Sequence, residues 1–127
     1  MTHWKPALGD VLHFHEKLIA RTGGAGGIRD DALIESALGR FDAAYDGHEI
    51  YPTLHEKAAA VCYGLVQNHG FIDGNKRIGV EVLRLILVMN GIEIVYTQSE
   101  LITLGLSIAR DEMDVEQVAE WINKHCI

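Results

Sequence analysis

Apolar residues recur at steps of three and four along most of this 127-residue chain, a spacing typical of helices that bury one face. Proline and glycine positions, such as Pro52 and the pair Asn90-Gly91, interrupt the pattern and divide it into about six segments. The predicted helices span about residues 8–23, 30–46, 53–69, 75–90, 97–108 and 114–122. The pattern therefore predicts a compact all-α fold of about six helices.

The composition excludes several broad classes of protein. With 48% hydrophobic and 23% charged residues, the chain is neither disordered nor fibrous, and we expect a single domain over residues 1–127. No apolar run approaches the roughly 18 residues of a membrane span, and the N-terminal residues lack the apolar core of a signal peptide. We expect a cytoplasmic protein with no membrane partner. A formal net charge of −7 also argues against direct binding to nucleic acid.

Three features that often mark functional sites have plainer interpretations here. Residues 23–27 hold four glycines but lack the Lys-Ser/Thr ending and the preceding strand of a phosphate-binding loop, so we expect a flexible connector. Cys62 and Cys126 lack metal or redox spacing and are expected to be buried thiols. His13 and His15 lie on different helical faces and form no metal pair, so we interpret both as solvated or partly buried.

One segment, residues 69–77, combines side chains that neither a core nor a connector requires. It contains an imidazole, a carboxylate, an amide and two cations between two apolar helices. A helix that restarts near Asn75 leaves backbone N–H groups unpaired at its positive end, which is a favourable site for an anion. Lys76 and Arg77 lie in the first turn, where the helix dipole disfavours cations. An anionic ligand bound there would offset that cost.

These side chains are the groups that phosphoryl or nucleotidyl transfer requires. His69 can accept a proton near neutral pH, Asp73 offers a hard oxygen ligand to Mg²⁺, and Arg77 with the backbone amides can stabilise developing negative charge. A purely structural interpretation is also open. In it His69 ends one helix, and Asp73 and Asn75 are turn and capping residues. Arg77 would then pair with Glu81 on a solvated face.

The run from His69 to Arg77 resembles the signature loop of the Fic/Doc superfamily, and more specifically that of the Doc (death on curing) toxins. The resemblance extends to residues 23–30 with residues 33–38, to residues 55–59, and to the pair Asn90-Gly91. It covers roughly residues 10–110, a span that no single short motif would give. It implies the compact all-α Fic core, in agreement with the helices expected from periodicity.

The resemblance also implies a role for each residue of the loop. His69 corresponds to the catalytic base, Asp73 to the Mg²⁺ ligand and Phe71 to a buried anchor. Mg²⁺ and ATP are thus the expected cofactor and co-substrate. Arg77 belongs to the catalytic set as well as to the anion hole, and a short flap at about residues 47–51 would align the target by strand pairing. The residues expected to bind the nucleotide phosphates are Gly74, Asn75, Lys76 and Arg77.

Two departures from the AMP-transferring members indicate a kinase. Those members usually carry Gly at the position of Lys76 and a second Arg at that of Val80, whereas Doc-like members share both changes found here. The resemblance therefore implies transfer of the γ-phosphate of ATP to a Ser or Thr hydroxyl of a target protein, with a translation elongation factor as the candidate. Gly74, typical of AMP-transferring members, and Arg84, which can lean back toward the site, favour AMP transfer. AMP transfer and a catalytically silent binding module are the alternatives.

The chain lacks the inhibitory signature that many members of the superfamily carry. In those members a helix with a Glu-Gly or Glu-Asn pair places its Glu in the nucleotide site, and neither pair occurs in this sequence. The resemblance thus implies a toxin controlled by a separate antitoxin, whose segment docks as a helix in an apolar groove.

Overall fold

The computed structural model describes residues 3–127, which form six helices and one small antiparallel hairpin. The predicted all-α fold of about six helices is confirmed. The helices are α1 (Leu8–Thr22), α2 (Asp31–Gly39), α3 (Leu54–Asn68), α4 (Asn75–Met89), α5 (Gln98–Ala109) and α6 (Val115–His125). The hairpin strands are β1 (Ala44–Tyr45) and β2 (His48–Glu49).

Local capping chemistry explains where several helices begin. The Thr97 hydroxyl accepts a hydrogen bond from the N–H of Glu100 at 3.1 Å, and the Glu100 carboxylate accepts one from the N–H of Thr97 at 2.8 Å. This reciprocal pair is a capping box, and it starts α5. Asp114 and Gln117 form the same reciprocal pair at α6. At α3 only half of the box forms, because the carboxylate of Glu56 accepts the hydroxyl of Thr53 and not its N–H.

The second helix is shorter than its apolar period predicts. It ends at Gly39, a 3₁₀ turn follows at Arg40–Asp42, and the hairpin then occupies the region expected to be helical. Asp46 and Gly47 have φ values of 52° and 78° and form its two-residue turn. An Asp-Gly pair favours this turn because both residues accept positive φ. The prediction of a helix through Asp46 is therefore wrong.

Helix α3 lies at the centre of the molecule and packs against α2, α4 and α6. Small residues allow this close packing: a Cβ on Gly64 would lie 2.9 Å from the Cβ of Ala37, and one on Gly79 would lie 2.5 Å from Val66 Cγ2. The core is therefore continuous from α2 through α3 to α4, and the loop that joins α3 to α4 is held between two rigid helix ends. Among residues 3–127 no helix has the length and hydropathy needed to cross a bilayer.

The two cysteines differ in their surroundings. Cys62 is fully buried in α3, and burial raises the pKa of its thiol to about 12. Cys126 is half-buried, with its Sγ 3.7 Å from Nε2 of His55. The expectation of a buried thiol is confirmed for Cys62 and only partly met by Cys126.

The ends of α5 and α6 are joined through one histidine. His125 lies with Nδ1 2.7 Å from the carbonyl oxygen of Trp121 and Nε2 2.8 Å from the carboxylate of Glu100. Partial burial alone would lower the pKa of His125, but these two acceptors outweigh it and raise the pKa above its ordinary value of 6.5. The same hydrogen bond lowers the pKa of Glu100 below its ordinary 4.5.

This pair predicts a pH-dependent contribution to stability. The stabilisation that comes from the raised pKa of His125 is complete below pH 6.5 and is lost as the pH rises through the pKa of the folded state. The stabilisation that comes from the lowered pKa of Glu100 is lost as the pH falls below 4.5. His125→Gln should therefore lower the melting temperature more at about pH 5.5 than at about pH 8.5. His13→Gln, at an exposed position of α1, is the control. Equal destabilisation at both pH values would contradict the prediction.

Candidate active site

The loop between α3 and α4 begins and ends with residues in the left-handed backbone region. His69 ends α3 with φ 51° and ψ 48°, and Gly74 precedes α4 with φ 79° and ψ 17°. The positive φ favours glycine at the second position, and the space is tight, since a Cβ there would lie 3.2 Å from Ile19 and 3.3 Å from Nε2 of His15. The imidazole of His69 is left exposed at the C-terminal end of the central helix.

One buried amide side chain closes this loop. Asn75 Oδ1 accepts the N–H of Phe71, and its Nδ2 donates to the carbonyl oxygen of the same residue, both at 3.0 Å. Phe71 is only 2% exposed and stacks on His15 with 3.7 Å between ring centroids. Asn75 is the first residue of α4, and Gly74 occupies the N-cap position. The purely structural interpretation, in which Asn75 is the capping residue, is therefore wrong on this point.

The first turn of α4 leaves backbone donors unpaired. Its first helical hydrogen bond runs from the N–H of Ile78 to the carbonyl oxygen of Gly74 at 2.9 Å. Within residues 3–127, the N–H groups of residues 75–77 have no protein acceptor. They lie at the positive end of the helix dipole, so this turn can bind an anion through its backbone.

The carboxylate of Asp73 is held in place by main-chain donors. The N–H of Ala25 lies 3.1 Å from Oδ2, and the N–H of Gly74 lies 2.8 Å from Oδ1. These hydrogen bonds, with a smaller contribution from the charge of Arg77, lower the pKa of Asp73, so the group is ionised at neutral pH. Its side chain remains 47% exposed and accessible to a ligand.

The donor set around Asp73 is compatible with Mg²⁺ but not with a site built from protein ligands alone. No group of three or more Asp, Glu, His or Cys side chains comes together anywhere in the described part of the chain. Mg²⁺ commonly binds through one or two carboxylates and takes its other ligands from phosphate oxygens and water. A single ionised carboxylate beside an anion site therefore fits this ion if a polyphosphate is bound with it.

Arg77 connects α4 to the end of α1. Its Nη1 donates to the hydroxyl of Thr22 at 2.6 Å and to the carbonyl oxygen of Gly23 at 2.8 Å, while Nη2 lies 3.7 Å from Asp73. The alternative pairing of Arg77 with Glu81 is wrong, because Glu81 instead pairs with Arg84 at 2.6 Å. The guanidinium thus lies beside the anion site and not on the solvated face of α4.

The glycine-rich segment is not a flexible connector, and that expectation is wrong. Ile28 forms an antiparallel bridge with Phe71, and the N–H of Ile72 donates to the carbonyl oxygen of Gly27 at 3.1 Å. Glycine is required where this segment crosses the loop, because a Cβ on Gly24 would lie 2.5 Å from Oδ2 of Asp73. The segment therefore packs along the loop and is joined to it by a single β-bridge at Ile28.

Sequence reasoning missed two side chains that support the loop. Arg29 donates from Nε to the carbonyl oxygen of His69 at 2.6 Å and from Nη2 to that of Asn68 at 3.1 Å, which satisfies the C-terminal end of α3. His15 contacts both Phe71 and the main chain of Asp73. Both contacts join residues about forty or more positions apart, and no local spacing in the sequence signals them.

The structure brings six of the seven predicted site residues around one cavity of about 270 Å³, and Ile72 also lines it. The seventh, Phe71, lies beneath the loop in the core. A more apolar groove of about 400 Å³ between α1, α4 and α5 adjoins this cavity, because Lys76 and Arg77 line both. The predicted residues that line the smaller cavity are His69, Asp73, Gly74, Asn75, Lys76 and Arg77.

A buried lysine ties the hairpin to the central helix. Lys57 of α3 is 3% exposed, and its Nζ donates to the carboxylate of Glu49 and to the carbonyl oxygen of Phe41, both at 3.0 Å. The flap expected at about residues 47–51 thus coincides with the turn and second strand of the hairpin. Both strands are exposed to solvent and accessible to another chain.

Comparison with known proteins agrees with the sequence resemblance. The model of the Fic/DOC family matches residues 6–87. A toxin Doc from Mycolicibacterium smegmatis is 38% identical over 72 residues, which cover 57% of this chain and 55% of that protein. A protein kinase doc from Escherichia phage P1 is 31% identical over 124 residues, which cover 98% of this chain and 95% of that protein. The similarity thus spans about half of the first relative and nearly all of the second.

The packing of the glycine-rich segment predicts a position-specific effect of alanine. Gly24 has φ 110°, so Gly24→Ala combines an unfavourable backbone conformation with a clash against Asp73. It should lower the free energy of unfolding by about 1–3 kcal/mol, measured by urea denaturation, and speed hydrogen exchange at the amide of Ala25. Gly26→Ala is the matched control, because no atom lies within 4 Å of a Cβ at that position. If both variants were equally stable, the close approach would be unimportant.

Proposed function

The chain belongs to the Fic/DOC family, and we propose that it is a Doc-like toxin that transfers the γ-phosphate of ATP to a Ser or Thr hydroxyl of a target protein. The observation that carries this proposal is one cavity in which unpaired helix amides, an arginine, an ionised carboxylate and an imidazole lie together. The relative that is named a protein kinase and aligns along nearly the whole chain supports the same reaction.

The start of α4 is the proposed site of the triphosphate. The N–H groups of residues 75–77 would donate to phosphate oxygens, and the charges of Lys76 and Arg77 would add to the field of the helix dipole. The two hydrogen bonds from the Asn75 side chain to the main chain of Phe71 fix these donors before the ligand arrives, so little reorganisation opposes binding. Arg77 already lies beside Asp73, where it can stabilise charge on the phosphate being transferred.

His69 is the proposed general base. Its side chain is exposed at the rim of the cavity, where a hydroxyl of another protein can reach it. The imidazole would take the hydroxyl proton as the oxygen forms its bond to the γ-phosphorus. The bond from that phosphorus to the bridging oxygen breaks, ADP leaves with the electron pair, and His69 later releases the proton to solvent. No covalent intermediate on the protein is needed.

Asp73 is the proposed ligand for Mg²⁺. When bound with the nucleotide, this ion neutralises charge on the phosphate oxygens and orients them. The contribution of the protein is an ionised carboxylate whose orientation is set by Ala25 and Gly74, so it does not have to be deprotonated or rotated for binding. The remaining ligands would be nucleotide oxygens and water.

The surroundings of α4 favour phosphate transfer over AMP transfer. At the position where AMP-transferring members usually carry a second arginine, this chain has Val80, which is 8% exposed and belongs to the core. Arg84, one turn later, is held by Glu81 and is not free to replace that arginine without losing an ion pair. Beyond Arg77, α4 therefore offers no free arginine to clamp the outer phosphates, as AMP transfer would need.

The partners proposed are a protein target and a separate antitoxin. The exposed hairpin offers main-chain groups to a strand of the target, for which a translation elongation factor is the candidate. The apolar groove between α1, α4 and α5 would receive a helix of the antitoxin, which would then also cover Lys76 and Arg77. We place this activity in the cytoplasm, with no direct binding to nucleic acid or membrane.

Incubation with ATP labelled separately at the α- and γ-phosphates, in the presence of Mg²⁺ and a bacterial lysate, tests the reaction. Label should pass to protein from the γ-position only. His69→Asn should lower the rate by about 10²–10⁴-fold, because asparagine accepts the left-handed backbone of this position but cannot act as a base. His13→Asn, on the exposed face of α1, is the control and should retain full activity. Transfer of α-label would support AMP transfer instead, and no transfer would support a binding module.

A second variant tests the role of Asp73. Asp73→Asn keeps the size of the side chain and one accepting oxygen but removes the charge. The Mg²⁺ concentration for half-maximal transfer should rise about tenfold or more, as expected for the loss of a charged ligand. Glu35→Gln removes an exposed carboxylate on α2 and should leave the metal requirement unchanged. An unaltered requirement in Asp73→Asn would remove this residue from the metal site.

A further inference from the structure

Helix α1 contributes one buried histidine to the underside of the loop. His15 is 3% exposed, whereas His13, two positions earlier on the same helix, faces solvent. The His15 ring lies nearly parallel to that of Phe71, with 11° between the planes and 3.7 Å between the centroids. Its Nε2 lies 2.7 Å from the carbonyl oxygen of Asp73. One side chain thus contacts both the buried anchor of the loop and its acidic residue.

The hydrogen bond fixes which nitrogen carries the proton. A carbonyl oxygen only accepts, so Nε2 of His15 must be the donor. The accepting carbonyl is that of Asp73, four positions before Arg77. If α4 began one residue earlier, the N–H of Arg77 would donate a helical hydrogen bond to this carbonyl. The N–H of Arg77 does not reach this carbonyl and has no protein acceptor within residues 3–127.

Asp73 is therefore held from two sides. Nε2 of His15 donates to its main-chain carbonyl, and the N–H groups of Ala25 and Gly74 donate to its carboxylate. The same imidazole also packs closely against the next residue, since a Cβ on Gly74 would lie 3.3 Å from Nε2 of His15. The direction of the peptide between Asp73 and Gly74 thus depends on a donor that α1 supplies.

We propose that His15 is a positioning residue of the active site. By holding the carbonyl of Asp73 through Nε2–H, it aims the carboxylate of Asp73 into the phosphate cavity. His15 does not line the cavity and would touch neither the nucleotide nor the target. This inference rests on the proposed function, because phosphate binding at the start of α4 is what the positioning serves.

A histidine that only fills space would behave differently under substitution. Phenylalanine keeps a flat ring that can stack on Phe71 but has no N–H to donate. Glutamine has no ring, but its Nε2 lies about as far from the backbone as the Nε2 of histidine and can donate. If shape is what matters, His15→Phe should be the milder change. If the donor is what matters, His15→Gln should be the milder one.

The experiment compares His15→Phe, His15→Gln and the control His13→Phe in the full chain. Affinity for the ATP analogue AMP-PNP with Mg²⁺ is measured by calorimetry, and kcat and KM are measured for transfer from γ-labelled ATP. For His15→Phe we expect a melting temperature close to that of the control but an AMP-PNP dissociation constant raised about tenfold, together with a lower kcat. His15→Gln should recover most of the affinity.

Three results would overturn the proposal. One is a folded His15→Phe that binds AMP-PNP as tightly as His13→Phe does. Another is a loss of affinity in His15→Gln as large as that in His15→Phe. If His15→Phe does not fold, His15→Gln is compared with His15→Met, which has a similar linear shape and no donor, and equal affinity in those two variants is the third.

A separate measurement distinguishes failure of this inference from failure of the proposed function. If the wild-type chain binds no nucleotide and transfers no phosphate, the proposed function fails, but the loop can still be examined without a ligand. Hydrogen exchange at the amides of Phe71 and Gly74, which donate to Asn75 and Asp73, should be faster in His15→Phe than in His13→Phe. Equal exchange would show that His15 does not position the loop.

Discussion

The unpaired N–H groups at the start of α4 are the feature on which the rest of the site depends. A helix that begins next to the core needs acceptors for its first donors, and residues 3–127 supply none for the N–H groups of residues 75–77. The sequence adds to this excess of positive potential with Lys76 and Arg77 and offsets it with one carboxylate, Asp73. The triphosphate proposed for this site would offer these donors several negatively charged oxygens.

The stability of this arrangement comes from segments that are distant in sequence. The loop after α3 is too short to form a core of its own. It is held by His15 of α1, by Gly27 of the glycine-rich segment and by the side chain of Asn75. The hydrogen bonds that His15, Gly27 and Asn75 make to the loop end on its main-chain groups. The side chains of His69, Asp73 and Arg77 are thereby left with part of their surface exposed and accessible to a ligand.

The sequence predicted what local chemistry determines and missed what depends on distant contacts. The capping pairs at Thr97 and Asp114 act within one turn, and both helix starts were predicted correctly. Hydrophobic periodicity missed the hairpin at Asp46 because its residues share an apolar period with α2, although the Asp-Gly turn overrides that period. The family resemblance did place a flap at about residues 47–51, where the turn and second strand of the hairpin lie. The supporting role of His15 could not be predicted, because it depends on a carbonyl 58 residues away.

Helix α3 separates the hairpin from the candidate active site. Lys57, which holds the hairpin through Glu49, and His69, which ends the helix, are twelve residues apart in sequence, or about 18 Å along a helix. An extended chain covers this distance in roughly five or six residues. A protein that contacted both the hairpin and His69 would have to bridge the helix between them. Because α3 packs against α2, α4 and α6, the core fixes the separation of its two ends.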